Sequence, residues 1–502
     1  MLDGLILLAN AFAAFANISS AFNVLWATLL GILIGALPGL TATMGVALLT
    51  TLTYKLPPEQ AILILISLYV GAIYGGSRSA ILLNIPGTPA NAATTLDGFP
   101  LARAGRAGEA MGIATSASVI GTFIGVLFLA AIAPLLAEFA LRFGSYEYFW
   151  LAIFGIIIAG QMTSFEDALK GWIAGFLGLF VAMIGQEGIH AVARFSFGNN
   201  DLAGGIGLIP ALVGAFGFAE VLTVMKNRAA QLATSSVKRV VPRLSTLWGY
   251  KRTITRSGVI GTGVGIIPGV GEDIGAWISY AAARRASKKP EEFGKGSTEG
   301  LVAAETGNNA AIPGALIPAL TLAIPGSAPA AVLLAAMFIH GIRPGPLIMI
   351  ETPDFVFQVV WMVVLATVAM GILGLALTRP LLTILRVPRE RLMPIVFVLC
   401  VIGPYAITQR VFDVYVMVFF GALGFILREM KYPMAPLVLG IILGDILDKN
   451  LRRALVLSAG DLTPFFTRPI SAVLWVTTLV VVLFALPPVR NAVTRYMRWE
   501  NP

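Results

Sequence analysis

The sequence predicts an all-α polytopic membrane protein that contains two repeats of broken helices. The 502 residues are 57% hydrophobic and 12% charged, with a mean hydropathy of +0.85. Soluble proteins carry about 25% charged residues. Apolar runs along the chain indicate about ten to twelve spans or half-spans. A Pro-Gly break also recurs within matching apolar stretches. Open backbone inside a membrane is costly unless it lines a polar cavity, so the breaks predict such a cavity.

The first pair of breaks consists of Pro38-Gly39 and Pro268-Gly269, which lie 230 positions apart (38 to 268). The second pair consists of Pro86-Gly87 and Pro325-Gly326, which lie 239 positions apart (86 to 325). The difference predicts a short insertion between the two breaks of the second half. We therefore divide the chain into a first membrane repeat, a basic linker, a second membrane repeat and a C-terminal tail. The corresponding ranges are 1–225, 226–256, 257–490 and 491–502.

The linker predicts which side of the membrane these segments face. Residues 226–256 contain eight Lys and Arg residues and no acid, which is typical of a cytoplasmic loop. Residues 284–295 are again predominantly basic. A re-entrant hairpin that turns at Pro268-Gly269 would place both segments in the cytoplasm, whereas one kinked span would separate them. We prefer the hairpin. The basic residues flank spans without interleaved aromatic residues, so no nucleic-acid partner is expected.

The breaks offer chemistry for an anion and a cation together. Half-helix N-termini present amides and partial positive charge, which suit a carboxylate, and freed carbonyls suit Na⁺. The alternative is that Pro-Gly only kinks helices for packing. The predicted substrate-binding residues are Gly39, Thr41, Ser77, Arg78, Asn84, Gly87, Thr88, Gly269, Asn308, Asn309, Gly326 and Ser327. The predicted ion-coupling residues are Asn91, Asp97, Glu272, Asp273 and Glu305.

Two of these predictions have structural alternatives. Arg78 lies in an apolar context, where an ionisable residue indicates function, and it could clamp a carboxylate. It could equally pair with Asp97 or Glu109, or extend to the membrane interface. Glu272 and Asp273 could bind a coupling ion or be solvated at the hairpin tip.

Motifs around the breaks carry a family resemblance over nearly the whole chain. They are Gly35-Ala-Leu-Pro38-Gly39, Tyr74-Gly-Gly-Ser77, Ala80-Ile-Leu-Leu-Asn-Ile-Pro-Gly-Thr-Pro89, Asp97-Gly-Phe-Pro100, Gly265-Ile-Ile-Pro268-Gly269 and Glu305-Thr-Gly-Asn308-Asn309. This set resembles the large membrane subunit of tripartite tricarboxylate transporters. Arg78 departs from it, because the family motif has a small or apolar residue there. The departure points to a carboxylate other than citrate.

The resemblance implies a multi-pass permease of the bacterial inner membrane. It implies ion-coupled secondary uptake of organic anions, with Na⁺ or H⁺ as the coupling cation and no other cofactor. The implied partners are a small membrane subunit, a periplasmic solute-binding protein, the anionic substrate and the lipid bilayer, with a homodimer as one option for assembly. It also suggests inverted repeats and an elevator-like transport domain on a scaffold.

Two other classes of protein compete with this interpretation. A passive anion channel could use broken helices without a binding protein. A membrane-embedded enzyme is disfavoured, because the chain has only two histidines, His190 and His340, and neither lies in a His-Glu-x-x-His motif. A Gly-x-Ser-x-Gly nucleophile turn and a P-loop are also missing from the sequence. We therefore expect no enzyme and no metal centre beyond a Na⁺ site.

Overall fold

A computed structural model of the protein describes residues 2–37, 39–163, 167–226, 244–378 and 389–485. These residues are almost entirely helical, and their one sheet is an antiparallel pair, β1 (Gly185–Gln186) and β2 (Ala193–Arg194). The helices before the linker are α1 (Leu2–Phe15), α2 (Ile18–Ala36), α3 (Ala42–Thr53), α4 (Pro58–Leu83), α5 (Ala92–Leu101), α6 (Ala107–Ala140), α7 (Ser145–Thr163), α8 (Ala168–Ala182), α9 (Asn200–Ala203), α10 (Leu208–Leu212) and α11 (Ala219–Lys226).

The helices after the linker complete the described fold. They are α12 (Leu244–Gly249), α13 (Lys251–Ile266), α14 (Gly271–Ala286), α15 (Thr298–Leu322), α16 (Ala328–Ile339), α17 (Ile348–Glu351), α18 (Pro353–Ala376), α19 (Met393–Thr408), α20 (Val411–Glu429), α21 (Met434–Leu457), α22 (Pro464–Thr467) and α23 (Pro469–Ala485). Two π-helical segments, Ala102–Arg106 and Val213–Phe218, connect α5 to α6 and α10 to α11.

Many of these helices have the length and composition of membrane segments. Six are long and apolar enough to cross a membrane: Ile18–Ala36, Pro58–Leu83, Pro89–Ala140, Leu208–Lys226, Pro353–Ala376 and Val411–Glu429. Six shorter apolar helices accompany them: Ile6–Phe15, Ala42–Thr53, Ala168–Ala182, Ala328–Ile339, Met393–Thr408 and Pro469–Ala485. The prediction of an all-α polytopic membrane protein is confirmed.

The chain forms two compact units. The first comprises Met1–Glu138 and Ile209–Phe425, and the second comprises Phe139–Leu208 and Ile426–Pro502. Each unit takes residues from both halves of the chain, whereas the predicted repeats follow chain order. The compact units reflect packing in space, whereas the predicted repeats reflect the order of the motifs along the chain. Within the linker, residues 227–243 lie outside the described residues, and α13 begins at Lys251, inside the predicted linker. The predicted tail also lies outside the described residues.

Both members of the first pair of breaks interrupt helices. Helix α2 ends at Ala36 and α3 begins at Ala42, with Gly39 between them at a φ of 95°. Pro38 itself lies outside the described residues. In the second half, α13 and α14 are separated by a turn in which Gly269 has a φ of 73°. Glycine adopts this left-handed backbone without steric cost, which explains its place at both turns.

The second pair of breaks ends two long helices in the same way. Helix α4 is followed by Asn84 at a φ of 58° and ψ of 28°, and α15 is followed by Ala323 at a φ of 57° and ψ of 28°. Both residues therefore lie in the left-handed helical region. They occupy equivalent positions, 239 residues apart (84 to 323). A Pro-Gly pair follows each of them and prevents the helix from continuing.

Helices α13 and α14 form a hairpin. Each has 16 residues, or about 24 Å at 1.5 Å per residue, which is shorter than the roughly 30 Å hydrocarbon core. The hydroxyl of Ser279 in α14 donates to the Ser257 carbonyl in α13 over 3.3 Å. A Cβ on Gly275 would lie 3.7 Å from the Cα of Gly261. The arms therefore run back along each other, as the charge pattern predicts, and do not form one kinked span.

The second unit is held by close helix contacts and by an ion pair on a buried carboxylate. Glycine lets α8 and α21 touch, since a Cβ on Gly178 would lie 2.0 Å from the Leu437 carbonyl oxygen. The buried Glu147 carboxylate accepts hydrogen bonds from the Arg468 Nε and the Ser471 hydroxyl, both at 2.8 Å. These contacts make this unit a separate packed body without any of the four breaks.

Candidate functional site

The broken helices of the first unit pack through glycines that recur in both halves. A Cβ on Gly35 in α2 would lie 1.9 Å from the carbonyl oxygen of Ala72 in α4. In the second half, a Cβ on Gly265 in α13 would lie 2.4 Å from the carbonyl oxygen of Ala311 in α15. Gly35 and Gly265 occupy equivalent positions 230 residues apart, and Ala72 and Ala311 occupy equivalent positions 239 residues apart. Only glycine permits such close backbone contact beside the breaks.

The glycines of the second pair of breaks also have equivalent surroundings. The Gly87 N–H donates to the Gly76 carbonyl over 3.4 Å, and the Gly326 N–H donates to the Ala315 carbonyl over 3.3 Å. A Cβ on Gly87 would lie 1.9 Å from the Gly35 carbonyl oxygen in α2, and a Cβ on Gly326 would lie 2.1 Å from the Gly265 carbonyl oxygen in α13. In each half, the second break therefore packs against the first through equivalent contacts.

A buried carboxylate connects the breaks of the second half to the first. Glu272, in the first turn of α14, accepts hydrogen bonds from the Tyr69 hydroxyl of α4 and from the Ser327 hydroxyl, the latter over 3.1 Å. Tyr69 and Ser327 are also 2.8 Å apart. Ser327 caps α16 by accepting from the Ala330 N–H over 3.3 Å. We call Tyr69, Glu272 and Ser327 the tip cluster. All three side chains are buried.

A second buried carboxylate lies among four helices. Glu305 of α15 accepts hydrogen bonds from Ser77 of α4 at 2.7 Å and from Ser118 of α6 at 2.9 Å on one oxygen. Its other oxygen accepts from Thr94 of α5 at 2.5 Å. All four side chains are fully buried. We call this group the Glu305 cage. Each of its hydrogen bonds comes from a hydroxyl, so the carboxylate has no hydrogen-bonded cation among the described residues.

Amides extend the Glu305 cage toward the breaks. Asn91 donates from its Nδ2 to the Ser77 hydroxyl over 3.2 Å and accepts from the Thr88 hydroxyl over 2.6 Å. Asn309 donates to the Ser118 hydroxyl over 2.9 Å. The Oδ1 atom of Asn309 and both polar side-chain atoms of Asn308 are buried without a hydrogen-bond partner among the described residues. Buried polar atoms normally have partners, so these atoms are candidates for contact with a ligand.

The guanidinium of Arg78 connects three helices. Its Nη2 donates to the Thr115 hydroxyl of α6 over 3.0 Å and to the Gly374 carbonyl of α18 over 2.8 Å. Its Nη1 donates to the Thr378 hydroxyl over 3.3 Å, and the group lies over the Tyr74 ring at 4.8 Å. The side chain is 1% exposed, so it does not extend into solvent. These contacts give Arg78 a packing role whether or not it also binds a carboxylate.

Arg78 is not hydrogen-bonded to either acid considered as its partner. One oxygen of the buried Asp97 carboxylate accepts the backbone N–H groups of Gly294, Gly296 and Ser297 at 2.7 to 2.9 Å. Glu109 is bound by Arg106 at 2.8 Å. Asp97, a predicted ion-coupling residue, therefore secures the loop before α15. No hydrogen bond among the described residues joins it to the Glu305 cage.

The remaining predicted site residues lie at the helix ends. Thr41 caps α3 by accepting from the Met44 N–H over 3.2 Å. Gly269 donates its N–H to the Pro325 carbonyl over 3.3 Å, so the two breaks of the second half touch. Asn84 is exposed at the end of α4, and Asp273 is half-buried beside Glu272. The structure thus joins Ser77, Thr88, Asn91, Asn309 and Glu305 in one network, and Glu272 with Ser327 in another.

Five polar residues that bind the predicted site residues are missing from the predicted site, and two of them are Thr94, which binds Glu305, and Thr378, which binds Arg78. In the other three cases, Tyr69 completes the tip cluster, Ser118 binds Glu305, and Thr115 binds Arg78. Ser118 and Thr115 are polar residues within the long apolar helix α6. This contrast in the sequence could have identified them as candidate site residues. Tyr69 gave no such signal, because a tyrosine in an apolar helix is common in cores.

The chain matches a family model over residues 22–439, described as the tripartite tricarboxylate transporter TctA family. An uncharacterized 52.8 kDa protein in the TAR-I ttuC′ 3′ region of Agrobacterium vitis is 36% identical over 96% of this chain and 97% of its own length. An uncharacterized protein in the TAR-II ttuC′ 3′ region of the same organism is 37% identical over 45% of this chain and 94% of its own. No solved structure matches. The family match and the nearly full-length relative show that the protein belongs to the tripartite tricarboxylate transporter TctA family, which is a family of transporters and not of enzymes.

Proposed function

We propose that this protein is the permease subunit of a binding-protein-dependent secondary transporter. It imports a tricarboxylate or related organic anion across the bacterial inner membrane, coupled to Na⁺ or H⁺. Its partners are a small membrane subunit and a periplasmic solute-binding protein, as the family implies. The repeats have inverted topology, and the first unit moves as the transport domain of an elevator. The observation that supports this most is the convergence of broken helices on two buried carboxylate networks.

The substrate carboxylate is proposed to bind at the N-termini of α3 and α16. These helices have 12 residues each and pack against each other. Thr41 and Ser327 cap them, and each helix begins directly after a break. Helix N-termini offer backbone N–H groups and partial positive charge to an anion. The Asn308 amide and the Oδ1 atom of Asn309, which have no hydrogen-bond partner among the described residues, provide further polar atoms for the substrate or its ion.

The coupling cation is proposed to bind at the Glu305 cage. Its ligands are carboxylate, hydroxyl and amide oxygens, which suit Na⁺, while a single buried carboxylate also suits a proton. An ionised carboxylate that is hydrogen-bonded only by hydroxyls is unfavourable in an apolar interior, even with the Arg78 guanidinium close enough to attract it. A bound Na⁺ or a proton would remove that penalty. Loading of the cation and of the substrate anion would then compensate each other electrostatically.

A passive anion channel fits these residues less well. Anion pores are commonly lined by rings of Arg and Lys side chains. Here both networks at the breaks centre on carboxylates, Glu272 and Glu305, and no Lys or Arg donates a hydrogen bond to either among the described residues. Ser327, at the proposed substrate site, itself donates to Glu272, so a cation or proton bound at these carboxylates would offset their repulsion of the anion, and that requirement favours coupled transport over passive flow.

Flux in reconstituted vesicles tests the proposal. The permease, its small subunit and the cognate solute-binding protein are reconstituted, and uptake of radiolabelled carboxylates is followed under an imposed Na⁺ or proton gradient. Accumulation that requires both the gradient and the binding protein is expected. Gradient-independent flux without the binding protein would instead show a channel, and chemical loss of the substrate would show an enzyme.

A further inference from the structure

A basic cavity lies at the base of the α13–α14 hairpin, away from the breaks. Its volume is about 590 Å³. The cations that line it are Lys251, Arg252, Arg256, Lys288 and Lys289. Arg256 precedes Gly269 by 13 residues, or about 20 Å along a helix, so the cavity is distinct from the proposed substrate site.

Positive charge dominates this cavity, because two carboxylates face the five cations. Glu292 is paired with Lys289 at 2.8 Å. Glu299 accepts hydrogen bonds from two neutral groups, the hydroxyls of Thr253 and Ser287, each at 2.6 Å. The lining therefore keeps an excess of positive charge.

Arg256 identifies the cavity as a binding site. Its Nε and Nη2 atoms are buried and have no hydrogen-bond partner among the described residues. A guanidinium with buried, unpartnered N–H groups is unfavourable unless an anion binds it. The planar fork of arginine matches the oxygens of a phosphate group, and nearby lysines add point charges. The site therefore favours an anion with several oxygens.

The surroundings of the cavity match a membrane interface. Trp248 is exposed at its edge, with the Lys251 ammonium over the ring at 5.0 Å. Exposed apolar side chains continue along both arms of the hairpin, at Val259, Trp277 and Ile278. Tryptophan beside basic residues is typical of the headgroup region, and basic pockets on membrane helices bind lipid head groups.

We propose that this cavity binds a phosphate-bearing anion, with the phosphodiester head group of an anionic lipid in the cavity and its acyl chains along the exposed hairpin. Arg256 is the central ligand. The same phosphate chemistry could come from a soluble phosphate, so the experiment separates these two sources. The proposal concerns binding alone and does not depend on the identity of the transported substrate.

Lipid binding by the purified full-length protein tests the proposal. Native mass spectrometry measures retention of phosphatidylglycerol and of phosphatidylcholine by the wild-type protein, Arg256→Gln and Arg284→Gln. Arg284 is an exposed cation at the end of α14 that does not line the cavity, so it is the matched control. We expect Arg256→Gln to bind phosphatidylglycerol about tenfold more weakly, as for loss of charge-assisted hydrogen bonds. Arg284→Gln should bind phosphatidylglycerol as tightly as wild type does. Phosphatidylcholine should not displace phosphatidylglycerol from the wild-type protein.

Inorganic phosphate separates the two sources. Competition between phosphate and phosphatidylglycerol at the wild-type protein, lost in Arg256→Gln, would support a shared site for the lipid head group. Phosphate binding that depends on Arg256 without lipid binding would overturn the lipid assignment. Equal binding of both probes by wild type and Arg256→Gln would overturn the site itself. Lys288→Gln provides a second variant in case Arg256→Gln does not fold, and it should weaken the same binding.

Discussion

Replacing Glu305 with glutamine tests the proposed cation site with little change to the fold. Glutamine has the same shape, and its carbonyl oxygen can still accept from Ser77 and Ser118. Its amide N–H can donate to Thr94, whose hydroxyl can rotate because it both donates and accepts. We therefore expect a change in the free energy of unfolding of about 1 kcal/mol or less.

The effect on cation binding should be much larger. At an effective dielectric of about 20, a carboxylate and a cation about 4 Å apart attract each other by about 4 kcal/mol. Loss of that attraction corresponds to roughly a thousandfold weaker binding of the cation. Proton binding at this carboxyl would be abolished outright. Either way, Glu305→Gln should stop gradient-driven accumulation although the protein still folds.

The assay compares gradient-driven uptake with unfolding temperature in the same preparations. Glu147→Gln is the matched control, because Glu147 is also buried and accepts hydrogen bonds from Ser471 and Arg468. This control should lose stability with its ion pair, yet its remaining uptake should keep the wild-type dependence on the cation. Wild-type cation dependence in Glu305→Gln would refute the assignment of the cage.

Three further variants test the breaks and the networks around them. Gly326→Ala should stop uptake, since its Cβ would lie 2.1 Å from the Gly265 carbonyl oxygen, whereas Gly263→Ala, which meets open space, should transport normally. Equal flux through the two variants would show that this contact is dispensable. Asn309→Ala should lower uptake about fivefold with intact expression, as expected for the loss of about 1 kcal/mol of hydrogen bonding; normal uptake would remove it from the site. Arg78→Lys should lower the melting temperature, because an ammonium cannot reproduce the guanidinium fork, and an unchanged value would contradict its packing role.

The positions of the four breaks could be predicted because proline and glycine act locally. Proline lacks an N–H and glycine allows positive φ, so such a pair favours a helix end. The rule has an exception, because Pro313-Gly314 lies within α15 without ending it, and the match between the two halves is what singles out the four breaks. The hairpin at Pro268-Gly269 could likewise be inferred from basic residues on both sides. The family could also be predicted from the sequence, because its motifs lie around the same breaks.

The networks could be predicted only in part, because they depend on contacts between distant helices. Glu305 and Ser77 were conspicuous as polar residues in apolar surroundings. Their hydrogen bond, however, joins residues 228 positions apart. Nothing local indicates that Ser118 completes the cage, or that Asp97 binds backbone N–H groups near Ser297. Such partners follow from tertiary packing, which no repeat or motif specifies.

Substrate-bound cryo-electron microscopy tests the central claim that the broken helix ends hold the carboxylate. The complete transporter would be imaged with the ligand of its cognate binding protein and with the coupling cation present. The account predicts substrate density within hydrogen-bonding distance of the N-termini of α3 and α16, near Thr41 and Ser327. Density at another place in the protein, or protein-filled space between these helix ends in the loaded state, would contradict it.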